Sequence, residues 1–155
     1  MSFRITGLSP TPFRPLFGLS DAALSAHGAR RVIADGTVNL PDRIEVRDVE
    51  PGESVLLVNH MHQPANTPFQ ASHAVFVREW ANAAYESTDE VPQAMRTRTL
   101  SLRAFDSDDF MIDADLVDGH AAESLIARLL ANPRVAYIHA HYAKWGCYAA
   151  RIDRA

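Results

Sequence analysis

Residues 134–152 read RVAYIHAHYAKWGCYAARI, and how this stretch folds decides the architecture. Apolar and polar groups alternate in it with a period of two, the signature of a β-strand. Ala136, Ile138, Ala140 and Tyr142 share one face, which is small and apolar and suits packing against a helix. Val135, Tyr137, His139 and His141 share the other. His139 and His141 then stand about 7 Å apart along the strand, from the rise per residue. Lys144-Trp145-Gly146 supplies a turn, and CYAARI can return as the adjacent strand. Cys147 falls on the strand face of Ala149 and Arg151 by the same alternation.

Working outward, the stretch LLVNHMHQPANTPFQASHAVFVRE (56–79) holds two further strands joined by a proline-braced loop. Leu56, Val58, His60 and His62 share a face, so His62 and His73 stand at the two mouths of the loop. LSLRAFD and FMIDADLVD flank the turn SDD and read as a hairpin. Leu100 and Leu102 face inward there, with Ser101 and Arg103 opposite. Phe110, Ile112, Ala114 and Leu116 are expected to face the core, sending Asp113 and Asp115 the other way. RIEVRDV (43–49) reads as a half-buried strand, and SPTPFRPLF (9–17) as an extended surface segment, because its three prolines lack N–H donors.

Helical signals are fewer. Ser20 is a good N-cap and Gly28 a good C′ residue for a short helix between them. Leu125, Ile126, Leu129 and Leu130 form an apolar stripe in DGHAAESLIARLLANP, with Asp118 as a cap and Pro133 beyond its end. PQAMRTR reads as a helical turn, and ANAAYESTDEVP as a mobile polar connection. The sum is an α+β protein: a mainly antiparallel β-sheet of about eight strands with two or three helices, in one domain over 1–155. Strands 56–62, 73–79, 110–117 and 135–142 are expected to be central.

Composition narrows the function classes. The 155 residues are 47% hydrophobic and 22% charged, with a net charge of −4. No basic stripe exists, so nucleic-acid binding is disfavoured. No apolar run has the length of a membrane span, and the N-terminus lacks an apolar signal segment, so the cytoplasm is expected. Cys147 is the single cysteine, which excludes an intrachain disulfide.

The histidines admit three readings. Imidazole pairs spaced H-x-H, His60/His62 and His139/His141, can ligate a metal with Asp113 or Asp115 adding oxygen. His and Asp on one face can instead do acid–base work, with Arg78, Arg103 or Arg151 holding a carboxylate or phosphate. Or the imidazoles are half-buried and hydrogen-bonded to carbonyls. The leading reading is a pocket for a small anionic ligand, lined by His62, Gln63, Ser72, His73, Arg78, His141 and Arg151. His141 or His73 would be the base and Arg78 the anion clamp of hydrolytic or transfer chemistry. The alternative is a non-catalytic binding or dimerisation module, forming a homodimer through its polar face or the loop around Trp80. Cys147 could act as a thiolate with His139 or His141 as base, although a small buried thiol is the default.

HAHYA partly resembles the strand of histidine-triad nucleotide hydrolases, but Ala143 stands where the third histidine is expected. A second resemblance covers nearly the whole chain. NHMHQPANTPFQASHAVFVRE, DADLVDG, VAYIHAHYAKWGCYAARID and the opening FRITGL with LSDAALSAHGARR resemble a family of small bacterial proteins catalogued as domain of unknown function 1203. It implies one complete domain and brings no activity. Family members often carry Pro-Cys-Arg where this chain has Pro41-Asp42-Arg43, so it implies no cysteine partner for Cys147 here.

Overall fold

The computed structural model describes residues 1–155. Eleven strands and three helices follow one another: β1 (Phe3–Thr6), α1 (Asp21–Ala26), β2 (Arg30–Ile33), β3 (Pro41–Asp42), β4 (Arg47–Asp48), β5 (Ser54–Gln63), β6 (Ala71–Arg78), β7 (Glu86–Thr88), α2 (Gln93–Arg96), β8 (Thr99–Phe105), β9 (Met111–Asp118), α3 (Ala122–Leu130), β10 (Tyr137–Tyr142) and β11 (Cys147–Arg154). The class is α+β, and the strands divide between two mainly antiparallel sheets. A six-stranded sheet has the order β7-β1-β11-β10-β8-β9, and a five-stranded sheet the order β2-β5-β6-β3-β4. Only β3 and β6 run parallel.

The larger sheet is the middle layer. On one side α3 buries Leu125, Ile126, Leu129 and Leu130 against Leu100, Leu102 and Ala104 of β8, Ile138 and Ala140 of β10, and Ile152 of β11. This dry layer arises because the helical stripe and the even positions of β10 present apolar surfaces of matching width. On its other side the larger sheet meets the smaller one. Leu56, Val58, Val75 and Val77 of β5 and β6 form a second core with Phe13, Leu24, Ile44 and, from β11, Tyr148.

Local signals account for several boundaries. The Ser20 hydroxyl accepts the Ala23 N–H at 3.2 Å to cap α1, and Gly28 follows at φ 69°. The Asp118 carboxylate accepts the His120 N–H at 2.8 Å and starts a 3-10 turn leading into α3.

Other expectations give way. Residues 43–49 form only the two-residue β4, because the buried Asp42 carboxylate accepts the N–H groups of Ile44 and Glu45 and bends the chain. Residues 9–17 are not extended: Arg14–Leu16 make a 3-10 turn that buries Phe13. The polar connection after Trp80 contains β7, paired with β1. Strand β9 lies at the edge of its sheet, not the centre. Its partner side is β8 alone, so Leu116 is 63% exposed and Phe110 45%. Its N–H groups at Ala114 and Leu116 are taken by the carboxylates of Asp113 and Asp115, which masks that edge from pairing with another strand.

Candidate functional site

The seam between the two sheets ends in a cluster of histidines. The apolar face of β5 continues past Val58 into His60 and His62, and that of β6 runs through Val75 to His73, which pairs with His60. A register shift between His60 and Gln63 places one extra residue in β5, the geometry of a bulge. This end of β5 sits over Tyr137, His139 and His141 of β10. The ring of His62 lies 4.9 Å from His141, 6.2 Å from His139, and stacks at 5.5 Å on Tyr148. The His139 and Tyr148 rings meet edge-on at 5.2 Å.

The middle sheet supplies charge beside them. Arg103 of β8 and Arg151 of β11 are the cross-strand partners of His139 on either side. Directly opposed residues share a face with their Cβ atoms about 5 Å apart. Arg103, His139 and Arg151 therefore form one row across three adjacent strands. Arg151 is held by Asp153 at 2.9 Å and lies over the Tyr137 ring at 4.1 Å. Arg103 has no carboxylate partner; its Nε donates to the Ser101 hydroxyl at 3.2 Å. Its guanidinium is half-buried, and burial holds its pKa below the usual arginine value.

The imidazoles respond to this environment. Burial, with the neighbouring histidines and arginines adding, pushes His139 down to about 3. Burial and then Arg103 bring His141 to about 3, and burial then His60 and Arg103 bring His62 to about 4. All three are neutral near pH 7. His141 Nδ1 lies 3.0 Å from the Gly146 carbonyl, which can only accept, so that nitrogen carries the hydrogen and Nε2 keeps its lone pair. Gly146 reaches this position at φ 77°, a conformation that favours glycine. The Nδ1 atoms of His62 and His139 are buried without a hydrogen-bond partner.

At the other end of the row, Gln63 Nε2 donates to the Tyr137 hydroxyl at 2.9 Å, which donates to Asp109 at 2.6 Å. The loop 64–70 closes over this chain, with Phe69 against Phe105 and Phe110.

Of the residues read as a site, His62, Gln63, His141 and Arg151 come together here. His73 stays exposed at the mouth, its Nδ1 donating to the Ala74 carbonyl, directly across from His60. Ser72 alternates with His73 and lies on the other face of β6. Arg78 does too: it is ion-paired with Glu45 and is no clamp for this cluster. Asp113 and Asp115 are opposed to Ala104 and Leu102, hence on the α3 side, where Arg128 bridges both. The metal reading loses its oxygen ligands by that reversal, and no three His, Cys, Asp or Glu side chains converge closely enough to hold a metal ion. Cys147 is likewise on the α3 side. Opposite Ala140 and His141 one extra residue in β11 makes Tyr148, not Ala149, the partner of His141 and pairs Cys147 with Tyr142, so the thiol faces away from the imidazoles and accepts from Arg43 Nη2 at 2.8 Å.

The sequence pattern marks neither Tyr148 nor Asp109 as part of the cluster. The alternation of CYAARI misassigns Tyr148 because the bulge is invisible in it, and Asp109 reads as a plain turn residue. Two open surface clefts, of about 570 and 690 Å³, lie elsewhere, one beside α1 and β2 and one beside β4 and α2.

The fold and cluster thus define a two-sheet α+β protein with a histidine–arginine seam. Over residues 39–154 the chain matches the family described as Protein of unknown function (DUF1203), and it belongs to that family. No curated protein and no solved structure matches it. No helix is long and apolar enough to cross a membrane.

Proposed function

We propose that the seam binds a small anionic ligand across the Arg103–His139–Arg151 row. The observation that carries this reading is Arg103: a half-buried guanidinium with no carboxylate, next to a neutral imidazole in the same row. An unpaired, partly desolvated guanidinium is a poor structural element and a good oxyanion receptor. His62 roofs the row, Tyr148 of β11 stands beside it, and His73 marks the entrance. Hydrolytic or transfer chemistry on the anion fits the same geometry. His141, with Nδ1 anchored on Gly146, presents Nε2 as the base, and His73 is close at the mouth.

The test is titration with inorganic phosphate, followed by calorimetry and by the imidazole NMR signals. Saturable binding should move the signals of His62, His139 and His141. Arg103→Gln should weaken it about tenfold or more, the loss expected for a charge-assisted hydrogen bond. Unchanged affinity in Arg103→Gln, or no saturable binding by the native chain, would sink the reading.

A further inference from the structure

We propose, resting on the anion-binding reading above, that the row takes a doubly charged oxyanion together with one proton, and that the proton is held by His139. The charges that line the row decide this. His139 faces Arg103, Ser101 and Phe105 from β8, Tyr148 and Arg151 from β11, and Tyr137 and His141 from its own strand. From the roof it faces His62, with His60, Gln63 and His73 beyond. The acids within reach are already engaged: Asp153 holds Arg151, and Asp109 accepts from Tyr137. Arg103 is thus the one uncompensated charge of the row.

A singly charged anion is matched by Arg103 alone. A dianion leaves one negative charge in a desolvated place, and the group best set to match it is His139. That imidazole is 5% exposed and its Nδ1 has no partner. In the empty site it is neutral, held so by burial and by the histidines and arginines around it. An oxyanion against the orphaned nitrogen reverses that balance, because an opposite charge at contact favours the charged form. One proton then moves from solvent to the imidazole as the ligand enters, and returns to solvent as it leaves. The balance is complete: two negative charges on the ligand meet one guanidinium and one imidazolium. The ligand class is therefore a tetrahedral dianion or a dicarboxylate, in preference to a simple monocarboxylate.

The probe is sulfate, which stays fully ionised over about pH 6 to 8, so any proton taken up belongs to the protein. Calorimetry in two cationic buffers of different ionisation enthalpy should give about one proton bound per sulfate at neutral pH. The apparent Kd should rise about tenfold per pH unit across that range. Nitrate, a monoanion, should bind with no proton uptake and no such slope. His139→Gln should bind sulfate with a flat pH profile, while His62→Gln keeps the slope. Sulfate binding without proton uptake by the native chain overturns the inference and leaves the anion site standing. Proton uptake that survives in folded His139→Gln overturns the assignment to His139. No sulfate binding by the native chain overturns the site itself. The native-chain arms need no variant to fold.

Discussion

Along β10 every residue from Tyr137 to Tyr142 is buried, yet its two faces are buried against different things. Ile138 and Ala140 meet the leucines and isoleucine of α3, where each buried atom gains from leaving water. Tyr137, His139 and His141 meet a second sheet whose own face turns from valine to histidine. There burial works against any charge, so the imidazoles are held neutral, and Nδ1 of His139 and, across the seam, of His62 go unpartnered. The first face is built for stability. The second carries a stability cost that a ligand would relieve, and such costs concentrate where function lies.

Three experiments break or sharpen the contrast. Leu102→Ala, on the α3 face, should cost about 3 to 5 kcal/mol in chemical denaturation, through a cavity in a layer that cannot collapse. Phosphate affinity should stay unchanged in the fraction that folds. A small loss would mean that the dry face is not the stabilising one.

Acid should act on the other face. His139 and His141 sit at about 3 in the folded chain against 6.5 in the unfolded one. Their neutral forms are favoured by folding, so their stability is intact above pH 6.5 and is lost as pH falls from there toward 3. At about 1.4 kcal/mol per pH unit for each group, the pair should lose about 3 kcal/mol by about pH 5.5. Denaturation midpoints at a series of pH values check this, and His139→Gln/His141→Gln should flatten the curve below pH 6.5. An unaltered slope in the double variant would refute it. The smallest effect belongs to Tyr137→Phe, which removes the hydroxyl that receives Gln63 and leaves a buried amide unpaired. It should cost about 1 to 2 kcal/mol by the same measurement, whereas a neutral outcome would mean that the chain to Asp109 contributes nothing.

Part of this is legible in single residues, and part is not. The faces of β10 and β8 follow from alternation, and the structure keeps them: His139 and His141 share a side with Arg103 and Ser101. The caps at Ser20 and Gly28 and the stripe of α3 were legible too. Strand β9 departs from its alternation at Ala114 and Leu116, which point to the seam side of an edge where little covers them, while Ile112 packs on the core as expected and the acids turn to Arg128. Cys147 is the small buried thiol expected by default, but its face departs from the alternation because one extra residue in β11 reverses every side chain before it, a shift that leaves no mark in the local sequence. Arg78 was misplaced by a choice of face on β6 that its neighbours alone do not make.

Residue by residue, the sequence determined the α+β class, the antiparallel bias, the faces of β8 and β10 and the helix ends. These depend on backbone periodicity and on hydrogen bonds a few residues long, which neighbours in the chain decide. The tertiary structure alone decided that β8, β10 and β11 lie side by side, that a bulge in β11 sets its register, and that β5, with a bulge of its own, closes with β6 over the result. Arg103, His139 and Arg151 make a row only after strands far apart in sequence are matched by burial of their apolar faces. That matching is a property of whole surfaces, and no short stretch contains it.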